Sequence, residues 1–316
     1  MKVLVTDKMA KEALKVLKDA GFTVTYNEMD ADTLLKEIGK YDALMVRSRT
    51  KAVKEVVEAG AKGNLKVIGR AGIGVDNIDI ETAGKKGIPV VNSPTGATAS
   101  VAEFTIGHII SISRFIPKAD AAMRKGEWLK KQLKGVELEG KKLGLIGSGP
   151  IAQHLSKIAN GFGMKVLVYS PHCTVEKAKK MGASLKKLDD ILKESDFVSL
   201  HIPHNEGTHY ILNEKNLVLM KPNAYLINCA RGGTVDEKAL FRLLKEGKIA
   251  GASIDVFESE PPKDSPFINL DNVVLTPHIG ASTKEGQIKA GTVCADQIVK
   301  VLKGKEPDHC VNKKFM

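Results

Sequence analysis

The sequence predicts an α/β protein made of two doubly wound parallel sheets. Short apolar runs recur along the 316 residues, separated by helix-length amphipathic segments, which is the pattern of parallel strands covered on both faces. Most of these runs end in a turn rich in glycine or in chemically capable side chains. The length exceeds one ordinary hydrophobic core and suits two domains.

In the first part, residues 2–6, 23–26, 43–46, 66–69 and 89–91 are apolar and read as strands, while 8–20 and 31–38 carry the helical period. From Ser100 one long helix is predicted to residue 125, ended by Gly126. Trp128 and the basic residues Lys130, Lys131 and Lys134 follow it. A second alternating series begins with the strand 143–146 and a helix reaching Gly163, then strands at 165–170, 197–200, 224–228, 252–254 and 273–275. A closing helix over 284–303 is expected to return to the first domain. The expected division is therefore a discontinuous domain of residues 1–97 and 286–316 and a second of residues 98–285.

The formal charge of +11 invites a nucleic-acid partner, but the lysines are spread from Lys8 to Lys314 with no dense basic block interleaved with aromatics. No nucleic-acid partner is expected; the charge would instead concentrate small anions. No run of about 18 apolar residues could span a membrane. The start, Met1 to Val5, is too short and too soon polar for a secretory signal, so a cytoplasmic location is expected. Cys173, Cys229, Cys294 and Cys310 lie far apart without metal spacing, and reduced thiols and no metal site are expected.

The most informative stretch runs from Leu143 to His172. An apolar strand enters Gly147-Ser148-Gly149-Pro150-Ile151-Ala152, a helix follows, and a second strand ends at Ser170. Gly147, Gly149 and Ala152 fill the G-x-G-x-x-G/A pattern, in which glycines make the turn and let helix N-terminal amides approach a pyrophosphate. Glycines also punctuate ordinary turns, and the flanking strands favour a dinucleotide site. An NAD site usually carries Asp or Glu where Ser170 stands. With His172, Lys177, Lys179 and Lys180 close behind, NADP stays open beside NAD.

Ligands of open α/β sheets bind beyond the carboxyl ends of the strands. In the first domain those ends carry Arg47 and Ser48, then Arg70 with the turn Gly72, Ile73 and Gly74, a set suited to an anionic substrate. The bland alternative is a simple turn with two surface arginines. In the second domain the ends carry His201 and Pro203, Ala230 and Arg231, Asp255, and His278 and Gly280. Arg231 would bind a carboxylate with its planar fork. His278 would exchange the proton on the substrate oxygen, and Glu260 would bond the other imidazole nitrogen and set the tautomer. Singly, each could be a surface or packing residue. Asp255 suits either a nicotinamide carboxamide or the N-cap of a helix.

These residues resemble the D-isomer-specific 2-hydroxyacid dehydrogenases along essentially the full chain. The resemblance rests on Gly147 to Ala152, Asn228 to Gly233, Asp255 to Phe257 with Glu260-Pro261, and Pro277 to Gly280. Arg47 to Thr50, Gly69 to Asn77 and His278 to Thr283 are most similar to members whose substrate carries a phosphate. The resemblance implies a flavodoxin-like substrate domain and a Rossmann-like NAD(P) domain closing around the substrate. It implies catalytic Arg231, Glu260 and His278, a nicotinamide contact at Asp255, and a substrate phosphate at Arg47 and Arg70. The implied reaction interconverts 3-phospho-D-glycerate and 3-phosphohydroxypyruvate, the first step of serine synthesis.

Pro150, Ala152 and Ser170 depart from the family pattern of Arg, Gly and Asp. Ending at Met316, the chain is expected to lack the regulatory extension of longer members. A hydroxypyruvate or glyoxylate reductase of the same family, or a nucleotide-sensing module like the co-repressors of this fold, are the alternatives. A homodimer packed on the helix from Ser100 and the segment around Lys130 is expected.

Overall fold

The computed structural model describes residues 1–316. The chain divides into two compact units, Met1–Thr98 with Ala281–Met316, and Ala99–Gly280.

In the first unit β1 (Lys2–Val5), α1 (Lys11–Asp19), β2 (Thr23–Tyr26), α2 (Ala31–Glu37), β3 (Ala43–Val46), α3 (Lys54–Lys62), β4 (Val67–Arg70), α4 (Ile80–Lys85) and β5 (Val90–Val91) alternate. The five strands are parallel in the order β2-β1-β3-β4-β5, a flavodoxin-like order. Side chains along a strand point alternately to the two faces. Val3, Val5, Ala43, Met45 and Val67 therefore pack with Ala13 and Leu17 of α1. Leu4, Leu44, Val46 and Ile68 pack with Leu34 of α2 and Val56 and Val57 of α3. The helices α3 and α4 are not among the predicted elements; α3 opens without a side-chain cap, and α4 has only 6 residues.

The second unit carries α5 (Thr98–Ser113), α6 (Ile116–Arg124), β6 (Lys142–Ile146), α7 (Pro150–Gly161), β7 (Lys165–Tyr169), α8 (Val175–Lys180), β8 (Ala183–Leu185), α9 (Leu188–Glu194), β9 (Phe197–Leu200), α10 (Glu214–Leu217), β10 (Tyr225–Asn228), α11 (Glu237–Lys245), β11 (Gly251–Ile254) and β12 (Val273–Leu275). Its seven strands are parallel in the order β12-β11-β10-β9-β6-β7-β8. The order reverses between β6 and β9, the place where open α/β sheets bind ligands. The single helix predicted from Ser100 is instead two: Pro117 has no N–H and its ring would meet the carbonyl four residues back, and the chain turns at Phe115 with φ 56°.

Helix α12 (Lys284–Leu302) belongs to the first unit. Thr283 Oγ1 accepts the Gly286 N–H at 2.9 Å to cap it. Cys294, Ala295 and Ile298 lie in the cluster beneath α1, where a Cβ on Gly291 would come within 2.8 Å of the Ala13 Cβ. Asn312 then joins the edge strand, accepting the Val90 N–H at 2.8 Å and donating to the Ile88 carbonyl at 2.9 Å. No helix is long and apolar enough to cross a membrane.

Candidate active site

The turn between β6 and α7 shows why its residues are small. Gly147 adopts φ 115°, a conformation that side chains disfavour, and a Cβ there would lie 2.3 Å from the His201 carbonyl oxygen. Its N–H donates to the Tyr169 carbonyl at 2.7 Å, tying the turn to β7. Gly149 is the N-cap of α7, and a Cβ on it would meet nothing within 4 Å, so the space over the turn is open. Pro150 opens the helix where an N–H has no intrahelical acceptor, and the amides of Ile151 and Ala152 belong to the same first turn. Ala152 is fully buried, so its methyl fills the place of a third glycine by packing. An open glycine rim at a helix N-terminus fits the pyrophosphate of a dinucleotide.

Around that turn Ser170 follows β7, and its hydroxyl accepts the amide of exposed His172 at 3.4 Å. His201 follows β9 with its ring 2.9 Å from the Ser199 hydroxyl, and burial pushes its pKa down to about 4, leaving it neutral near pH 7. Pro203 is exposed, its carbonyl accepting the Thr208 hydroxyl at 2.7 Å. Ala230 donates its N–H to Asn228 Oδ1 at 3.1 Å, and its carbonyl accepts from Arg231 Nη1 at 2.6 Å.

The structure brings the three catalytic candidates together, with the Arg231 guanidinium close enough for its charge to act on Glu260. His278 Nδ1 donates to Glu260 Oε2 at 2.7 Å, while Glu260 Oε1 accepts the Phe257 N–H at 3.1 Å. Partial burial alone would raise the Glu260 carboxyl. The hydrogen bond and charge of His278, the Phe257 amide and the Arg231 guanidinium together carry it below the ordinary carboxylate value. The Arg231 loop is pressed against the chain leaving β11, since a Cβ on Gly232 would lie 1.9 Å from the Phe257 carbonyl oxygen. With Nδ1 engaged, the imidazole keeps Nε2 for a proton-transfer partner.

Asp255 is buried and caps no helix. Its carboxylate accepts from the Thr276 hydroxyl at 2.6 Å, the Ile279 amide at 2.9 Å and the Gly280 amide at 3.0 Å. Its carbonyl accepts the His278 amide at 2.8 Å. The N-cap expectation fails because the chain after β11 runs on as an irregular loop, so the carboxylate serves the loop after β12 instead. It thereby holds His278 in place.

In the first unit Val46 pairs with Arg70, so Arg47 and Arg70 stand at neighbouring carboxyl ends of β3 and β4. Arg70 is itself the last residue of β4, and a Cβ on Gly72 would fall 1.5 Å from its Nη1. The Gly72 carbonyl accepts the Ser93 amide at 2.9 Å, and that of Ile73 accepts Asn92 Nδ2 at 2.6 Å. Ser48 is exposed beside Arg47. The organising residue here, absent from the sequence reading, is buried Asp7. It accepts the Arg47 amide at 2.5 Å and the Thr50 hydroxyl at 2.7 Å and pairs with Arg49 Nε at 3.2 Å. Its signal was available: an Asp just past the carboxyl end of β1. No group of three or more His, Cys, Asp or Glu gathers in a way that could hold a metal ion.

Residues 106–280 match the family model of the D-isomer specific 2-hydroxyacid dehydrogenase, NAD binding domain. The chain is 48% identical over 313 residues to D-3-phosphoglycerate dehydrogenase of Methanocaldococcus jannaschii, covering 99% of this chain and 59% of that protein. It is 44% identical over 305 residues to hydroxypyruvate reductase of Thermotoga maritima, covering 95% of this chain and 98% of that one. The solved structure of an acyclic imino acid reductase in complex with NADPH and D-Arg superimposes with a TM-score of 0.87 at 32% identity, covering 98% of this chain and 100% of that one. The chain thus spans about 59% of the length of the curated phosphoglycerate dehydrogenases first matched.

Proposed function

We propose, from the premise that this chain belongs to the D-isomer specific 2-hydroxyacid dehydrogenase family, that it is an NAD(P)-dependent oxidoreductase interconverting 3-phospho-D-glycerate and 3-phosphohydroxypyruvate. The observation that carries the reading is the 2.7 Å contact of His278 Nδ1 with Glu260, which leaves the other imidazole nitrogen for a substrate oxygen. The nicotinamide, when bound, supplies or accepts the hydride. Arg231 holds the substrate carboxylate and polarises the adjoining carbonyl. His278 gives that oxygen a proton in reduction and takes one in oxidation, and Glu260 keeps Nδ1 protonated and the ring oriented. Arg47, Ser48 and Arg70, with the amides of Gly72 and Ile73, receive the phosphate. Gly147, Gly149 and Ile151 line the pyrophosphate. A homodimer formed through α6 and the segment after it completes the proposal.

One observation favours a second reading. The hydroxypyruvate reductase is matched along nearly its whole length, so a substrate without the phosphate is the competing assignment. Initial rates with 3-phosphohydroxypyruvate, hydroxypyruvate and glyoxylate decide between them. The phosphorylated substrate should give the highest kcat/KM, and Arg47→Ala should lower that value by about tenfold or more while leaving glyoxylate nearly unchanged. Equal losses on both substrates would count against the phosphate role.

A further inference from the structure

A pocket of about 430 Å³ opens beside Ser170, lined among others by Tyr169, Lys186, Lys187 and Asp190. Its walls come from neighbouring strands. Val168 of β7 pairs with Leu185 of β8, and the Lys186 amide donates to the Val168 carbonyl at 2.9 Å, which brings Lys186 and Lys187 alongside Ser170. Lysines of α8 are not in its lining. Lys186 Nζ donates to Glu194 at 2.8 Å, but that carboxylate also receives Lys142 at 2.9 Å, and hydrogen bonds from Lys186 and Lys142 hold its pKa down to about 2. Within the lining itself Lys186 and Lys187 face the single carboxylate of Asp190, and Lys142, which shares Glu194, lies outside it at the start of β6. Ser170 adds a hydroxyl where an acidic side chain would bond the ribose and repel a phosphate.

We propose that this pocket receives the 2′-phosphate of NADP(H), so that the chain binds the 2′-phosphorylated dinucleotide in preference to NAD(H). Ser170 and Lys187 contact the phosphate, and Lys186 supplies field from the pocket wall. The inference rests on the dinucleotide site of the proposed function and adds its choice of nucleotide. A phosphate carries roughly two negative charges at neutral pH and its charge-assisted hydrogen bonds exceed those of a ribose hydroxyl, so a preference of about tenfold or more is expected.

Isothermal titration of the full chain with NADP⁺, NAD⁺ and adenosine 2′,5′-bisphosphate, without substrate, reads this directly. NADP⁺ should bind at least about tenfold tighter than NAD⁺, with the gap narrowing as salt rises. Lys187→Ala should weaken NADP⁺ severalfold more than NAD⁺, and Ser170→Asp should reverse the order. NAD⁺ binding as tightly as NADP⁺ in the unaltered protein overturns the inference and leaves the dehydrogenase reading standing. Equal weakening of both nucleotides in Lys187→Ala overturns the phosphate contact. Binding of neither nucleotide overturns the inference and the dinucleotide site together.

Discussion

His278 adopts φ 54°, a left-handed conformation that costs a non-glycine residue about 1 kcal/mol or more. The Asp255 carboxylate and the bond to Glu260 hold it there. Asparagine tolerates this backbone well, so His278→Asn should keep its melting temperature within a few degrees while turnover falls by about 10²- to 10⁴-fold. Parallel melting curves and kinetics check this; retained turnover would remove His278 from proton transfer. His201 provides a pH signature of folding. With its pKa pushed from 6.5 down to about 4 by burial, the folded chain refuses a proton that the unfolded chain takes up. The His201 contribution to stability is therefore fully present above pH 6.5 and is lost as pH falls toward about 4, a change of up to about 3 kcal/mol. Denaturant midpoints measured across that range should fall less steeply in His201→Asn.

At the scale of elements, the loop after β12 depends on a strand end it does not follow in sequence. Asp255 lies just past β11 and supplies acceptors to Thr276, Ile279 and Gly280. Asp255→Ala would leave these donors without that partner in a closed environment, at a cost of about 2 to 3 kcal/mol. The expected result is a lower denaturant midpoint together with lower kcat; a variant as stable as its parent would show that water replaces the carboxylate. The glycine turn before α7 was legible because its demands are local: φ 115° at Gly147 and an open N-terminus above Gly149. The break at Phe115 was equally available through Pro117, yet the continuous helical period of the flanking residues masked it. Strand β8, of 3 residues, was too short to carry a period.

At the scale of the molecule, Ile116, Met123 and Trp128 are 48%, 56% and 74% exposed on α6 and the segment after it. Tryptophan and methionine are enriched where protein surfaces meet, which supports the proposed homodimer on this face. Sedimentation at micromolar concentration should give twice the chain mass, and Trp128→Glu should shift it toward one; a monomer in both would refute the dimer. What the sequence determined by itself is whatever depends on local pattern. The parallel α/β class follows from apolar runs and helical periods, the nucleotide turn from its glycines, and the proposed trio Arg231, Glu260 and His278 from their places at or past strand ends. Only the tertiary structure decided which distant groups meet: Asp7 under the Arg47 loop, Asp255 under His278, and Lys186 and Lys187 rather than the lysines of α8 beside Ser170. The physical reason is that strand neighbours are chosen by sheet order and register, through contacts far apart in the chain, whereas periodicity records only which face of its own element a residue occupies.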